Sequence, residues 1–138
     1  NILSAYYADA LTGGTKLDIC LCSNDSTALG VTNSLVAAGF TKDNIPVITG
    51  QDCDIANTKN MIAGLQAMSV FKDTRTLAEQ TVKMVADILG GKAPETNTTY
   101  NNKVKDVPSY NCTPVFADAS NYKTLLVDSG YYTEDQLK

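Results

Sequence analysis

Apolar positions along this chain follow two rhythms. Short unbroken runs occur at 17–23 (LDICLCS), 45–50 (IPVITG) and 67–72 (AMSVFK), each bounded by polar or glycine-containing segments. Runs of this length predict buried strands, and the second is rich in β-branched residues. Between and after them, apolar residues recur at intervals of three and four, which is the signature of a helix with one buried face. In the segment that starts at Asp25, Ala28, Leu29, Val31, Leu35 and Val36 mark the apolar side and Gly39 closes it. Residues 54–64 predict a helix with Asp54 as its cap and Gly64 as its stop. The clearest helical pattern is 74–89, with Leu77, Ala78, Thr81, Val82, Val85, Ala86 and Leu89 on one face behind Asp73 as cap.

The remaining segments are less regular. Residues 2–11 read as the end of a helix stopped by TGG. The segment TNTTYNN at 96–102 reads as a polar turn or loop. Residues 103–117 predict two short strands broken by Pro108 and Pro114, which suits edge positions. A last helix is expected from Asp118, followed by the tail YYTEDQLK. Strand and helix alternate with short connections in the first half, so the predicted fold class is α/β, with parallel strands and flanking helices.

Ligands of open parallel sheets bind beyond the carboxyl ends of the strands. Here the first strand runs into Asn24 and Asp25, the second into Gln51 and Asp52, and the third into Lys72 and Asp73. If the strands are adjacent, Asn24, Asp52 and Lys72 share one rim. An amide that donates and accepts, a carboxylate that accepts and an ammonium that donates suit the adjacent hydroxyls of a polyol. Each residue also has a plainer reading. Asp25, Asp54 and Asp73 sit where carboxylates cap helices, Asn24 and Asp52 could be turn residues, and Lys72 could be a solvated lysine.

Composition narrows the field. The chain of 138 residues is 43% hydrophobic with a net charge of −4, enough for a packed core and without the basic clusters that nucleic acid or anionic lipid requires. Its N-terminal residues lack the pattern of a signal peptide, and the chain starts in what reads as mid-helix, so a longer parent is expected. No histidine is present, which removes the commonest metal ligand and general base. Asp52-Cys53-Asp54 lacks a third ligand for a metal, and no activated nucleophile is visible, so neither a catalytic residue, a metal nor a cofactor is implied. Cys20 and Cys22, at strand spacing, face one side of a sheet and read as buried thiols; pairing of Cys53 with Cys112 stays open.

Three segments carry a resemblance: LCSNDSTALGVTNSLVAAGF, PVITGQDCDIANTKNMIAGLQAMSVFKDTRTLAEQTVKMV and VPSYNCTPVFADASNYKTLLVDSGYYTEDQL. In order and spacing they resemble the C-terminal part of sugar-binding receptors of bacterial ABC transporters, the xylose and multiple-sugar branch of the ribose-binding-protein (type I periplasmic binding protein) family. The resemblance implies a partial periplasmic-binding-protein-like, Rossmann-like lobe. It assigns 1–73 to the C-terminal sugar-binding lobe, 74–103 to the N-terminal lobe and 104–138 to the return and tail. It also implies sugar contacts from Asn24, Asp52 and Lys72. Gln51 stands where ribose-type relatives carry an aromatic, so it lines the wall.

The function so implied is non-catalytic capture of a monosaccharide such as glucose, galactose, xylose or arabinose, for delivery to the membrane permease of an ABC importer. The location so implied is periplasmic, or extracellular and lipid-anchored. The chain is too short for two lobes and reads as a C-terminal fragment with an exposed sheet edge. Self-association, or exchange of the 74–89 helix between copies, is expected of it. The alternative is the sugar-sensing effector domain of a lac-repressor-type regulator, which shares the fold. A flavodoxin-like or sugar-modifying enzyme is a weaker third reading.

Overall fold

Three parallel strands form where the three short apolar runs lie: β1 (Ile19–Leu21), β2 (Val47–Gln51) and β3 (Met68–Phe71). The structure is a computed structural model that describes Asp9 and residues 14–138; apart from Asp9, the helix expected at 2–11 lies outside the described residues. The strands pair in register, Leu21 with Thr49 and Gln51 with Val70, and β6 (Val115–Ala117) lies beside β3 to give the order β1-β2-β3-β6. Parallel neighbours need crossovers, supplied by α1 (Asp25–Ala37) and α2 (Ile55–Ile62). Each helix ends where glycine takes a left-handed conformation, Gly39 at φ 98° and Gly64 at φ 77°. The fold is the expected α/β arrangement.

The sheet buries side chains on both faces. Ala28, Leu35, Phe40 and Ile48 form one cluster, joined by Cys20 and Cys22, whose shared face matches their spacing. Cys53, Met61, Phe71, Ala117 and Leu126 form the other, ringed by Tyr122, Tyr131 and Tyr132. Phe71 and Tyr131 meet edge to face with centroids 4.8 Å apart. All four cysteines are free thiols. β1 departs from the expectation of a buried strand: it is the outer strand among the described residues, and Leu21 is 83% exposed.

The chain divides into two compact units, residues 1–71 with 116–138, and residues 72–115. The second holds α3 (Thr74–Leu89) and an antiparallel hairpin of β4 (Thr98–Asn101) and β5 (Asp106–Ser109). α3 spans the predicted residues, and Asp73 caps it by accepting from the Arg75 amide at 2.9 Å. None of its residues is buried, and Leu77, Val82, Val85, Ile88 and Leu89 are exposed. The expected loop at 96–102 is instead largely strand β4. Its Thr-Thr-Tyr run has the β-branched and aromatic residues that a pleated pair favours, and the turn is stapled by Asn102 Oδ1, which accepts from Val104 and Lys105.

In the first unit the last helix is a short π-helical segment, Lys123–Asp128, that buries Leu126. The tail is also structured: Thr133 and Gln136 form a reciprocal cap on a 3₁₀ turn that buries Leu137.

Leu35 is wholly buried between α1 and the sheet. Leu35→Ala is expected to cost about 2–5 kcal/mol of stability, seen as a lower urea midpoint at unchanged slope.

Candidate functional site

The carboxyl edge of the sheet carries a strained turn. Gln51 ends β2, and the next two residues leave it left-handed, Asp52 at φ 106° and Cys53 at φ 56°. Non-glycine residues in such regions cost on the order of 1–3 kcal/mol each and persist only where their surroundings over-determine them. Here three successive amides are held. Asp52 N–H donates to the Val70 carbonyl (2.8 Å), Cys53 N–H to Ser69 Oγ (3.1 Å) and Asp54 N–H to Asp25 Oδ2 (2.8 Å). The Cys53 carbonyl accepts from Tyr132 Oη at 3.0 Å and from Thr58 Oγ1 at 3.2 Å. The Cys53 thiol is buried against the Ser69 carbonyl, and its pKa is pushed up to about 12 by burial and by the neighbouring carboxylates of Asp25, Asp52 and Asp54.

Asp25 corrects the capping expectation. It is the first residue of α1 but fully buried, on the same helix face as Ala28, Thr32 and Leu35. Its Oδ1 accepts from Ser69 Oγ at 2.8 Å and from Gln66 Nε2 at 3.2 Å. Its backbone carbonyl accepts from Asn57 Nδ2, which also donates to Gln66 Oε1. Gly50 makes room for this carboxylate, since a Cβ there would stand 2.0 Å from Asp25 Oδ1. The cap of α1 is Asn24, whose Oδ1 accepts from the Thr27 amide at 3.0 Å and from its hydroxyl at 2.9 Å. Asp54 corrects the same expectation at α2, where its side chain makes no capping bond.

Among the proposed contacts, Asn24, Gln51 and Asp52 lie at this edge, past the ends of the adjacent parallel strands β1 and β2, and all are half-buried. The side-chain oxygen of Asn24 is committed to the cap. Lys72 follows the last residue of β3 and opens the second unit. It is half-buried and, with Thr76, Leu77, Cys112 and Pro114, lines a cavity of about 120 Å³. That is smaller than the roughly 300 Å³ at which small-molecule pockets begin, so this cavity does not enclose a sugar by itself. Sequence reasoning missed Ser69, Gln66 and Asn57, and gave Asp25 the wrong task. The available signal was that Asp25 precedes Ala28 and Thr32 by three and seven residues, on the buried stripe.

An open parallel sheet with polar residues past its strand ends is the arrangement at which α/β proteins place their ligands. Residues 4–93 match the model described as "Periplasmic binding protein domain", and the chain belongs to that family. It is 47% identical to the multiple sugar-binding periplasmic receptor ChvE of Rhizobium radiobacter, over all of this chain and 39% of that protein. An ABC transporter solute binding protein from Clostridium phytofermentans, solved with bound β-D-glucose, is 63% identical over 99% of this chain and 41% of its own, with a TM-score of 0.88. A carbohydrate transporter solute binding protein from Chloroflexus aurantiacus, in complex with D-glucose, is 37% identical over 91% of this chain and 38% of its own, with a TM-score of 0.80. The chain therefore spans about two-fifths of the length of the relatives it matches.

Burial raises the pKa of Asp25, against the opposing effect of its donors. The native state then holds this proton more tightly than the unfolded chain. Its contribution to stability is full below the ordinary carboxylate range and is lost as pH rises through the raised value. Asp73, held low by Arg75, and Asp118, held low by Ser120, work in the opposite direction. The difference between wild type and Asp25→Asn isolates the contribution of Asp25. Chemical unfolding between about pH 4 and pH 7 is expected to show wild-type stability falling relative to Asp25→Asn as pH rises.

Proposed function

We propose that this chain is part of the sugar-binding component of a bacterial ABC importer, which captures a monosaccharide without catalysis. The observation that carries the reading is the edge beyond β1 and β2, where Asn24 caps α1, Gln51 ends β2 and Asp52 opens a strained, hydrogen-bonded turn. The glucose-bound relatives support the substrate class. Asn24, Asp52 and Lys72 are the polar sugar contacts and Gln51 lines the wall. The donor and acceptor mixture suits glucose, galactose, xylose or arabinose. The remaining partner is a membrane permease, and the location is periplasmic or extracellular and lipid-anchored.

In this reading 1–73 belongs to the C-terminal lobe, 74–103 to the N-terminal lobe and 104–138 to the return. The change of unit at Lys72 supports the first boundary, while the pairing of β5 with β4 carries the second unit past residue 103, and it runs on to Val115. Calorimetric titration of the full-length receptor with a monosaccharide panel is the test. At least one aldose is expected to bind, and Asp52→Asn, Lys72→Ala and Asn24→Asp are each expected to weaken it by about tenfold or more. Asn24→Asp keeps a capping oxygen and removes the amide donor, which separates recognition from helix capping. A panel without binding overturns the reading.

The chain on its own is also expected to self-associate, through the outer strand β1 or the exposed apolar face of α3. Unpaired strand edges and exposed apolar faces both favour pairing between copies. Light scattering across a concentration series should report a mass above the monomer, and Val82→Lys with Leu89→Lys should reduce it if α3 is the contact. A monomeric mass throughout counts against association.

A further inference from the structure

We propose that Asp25 is a positioning residue for sugar binding: its buried carboxylate clamps the left-handed turn that presents Asp52 and fixes that turn against Asn24. The inference rests on the reading of Asp52 and Asn24 as sugar contacts. The turn is gripped at both ends, by the Val70 carbonyl on the Asp52 amide and by Asp25 Oδ2 on the Asp54 amide. Between those grips lie the two unfavourable dihedrals, φ 106° and φ 56°. Without the second grip, relaxation of Asp52 and Cys53 toward ordinary backbone would re-aim the Asp52 side chain.

Asp25 is itself anchored by Ser69 and Gln66 on its carboxylate and by Asn57 on its carbonyl. It directly follows Asn24, the cap of α1. The strands β1 and β2 are aligned by their own pairing, and the hydrogen bond from the Asp54 amide to Asp25 sets the spacing between the start of α1 and the turn beyond β2. That spacing is the distance between two sugar contacts. Stability alone gives little reason for a carboxylate here, because a buried charge without a cation costs folding energy that an apolar side chain would not. Among the described residues no ion pair reaches Asp25. Its three donors, from Asp54, Ser69 and Gln66, converge from the strained turn, from β3 and from the approach to β3.

The test uses the full-length receptor and Asp25→Asn, Ser69→Ala and Asp52→Asn variants. Sugar affinity is measured by calorimetry, thermal stability by circular dichroism, and amide exchange at Cys53 and Asp54 by NMR or mass spectrometry. Asp25→Asn is expected to weaken binding by about tenfold while remaining folded, with faster exchange of the Asp54 amide. Ser69→Ala removes the Cys53 acceptor and one Asp25 donor, and is expected to weaken binding by roughly threefold with faster exchange at Cys53. Asp52→Asn, a direct contact, should lose affinity with exchange at Asp54 unchanged, which a general loosening of the fold would not reproduce. Wild-type affinity in a folded Asp25→Asn protein overturns the positioning role, and so does wild-type affinity in Ser69→Ala should Asp25→Asn fail to fold. Wild-type affinity in Asp52→Asn overturns the underlying site reading, and this inference with it.

Discussion

The carboxylate of Asp25 is solvated by the protein instead of by water, and the candidate site depends on that substitution. Its donors come from elements distant in sequence: the turn after β2, the segment before β3 and β3 itself. A buried charge cannot tolerate the loss of such partners, so the elements that supply them are held in mutual register. Gly50 is the steric condition of the arrangement, because any side chain there would occupy the position of the carboxylate oxygen. Parallel strand pairing aligns β1 and β2, and the Asp25 network fixes the turns beyond their carboxyl ends.

The strands and α3 were legible because their signals are local. Short apolar runs between turn residues, and a three-and-four repeat behind Asp73, state the element directly, and α3 begins and ends where the repeat does. β4 was not legible, since threonine and asparagine are common to loops and edge strands, and only pairing with β5 decides between them. That Asn24, Gln51 and Asp52 lie at or past the ends of the adjacent parallel strands β1 and β2 came from strand order and could be read in advance. The role of Asp25 could not: an aspartate at a helix start has the same local appearance whether it caps the helix or turns inward. The partners that decide it lie 29 to 44 positions away.

The two compact units differ in how much of their apolar surface is covered. The sheet unit closes two clusters, with the tyrosines at 122, 131 and 132 sealing one of them. In the second unit α3 keeps a full amphipathic repeat with no residue buried. A helix whose apolar stripe is this regular is built for burial. Its exposed state accords with a chain that spans about two-fifths of its relatives' length.

The thiol of Cys53 sits within the strained turn, beside three carboxylates. With its pKa near 12, almost none of it is thiolate at neutral pH, and thiolate is the form that attacks disulfides. Burial first, and the neighbouring carboxylates second, thus make this sulfur chemically silent. The small, weakly polar side chain keeps its place in the packing without becoming a redox hazard.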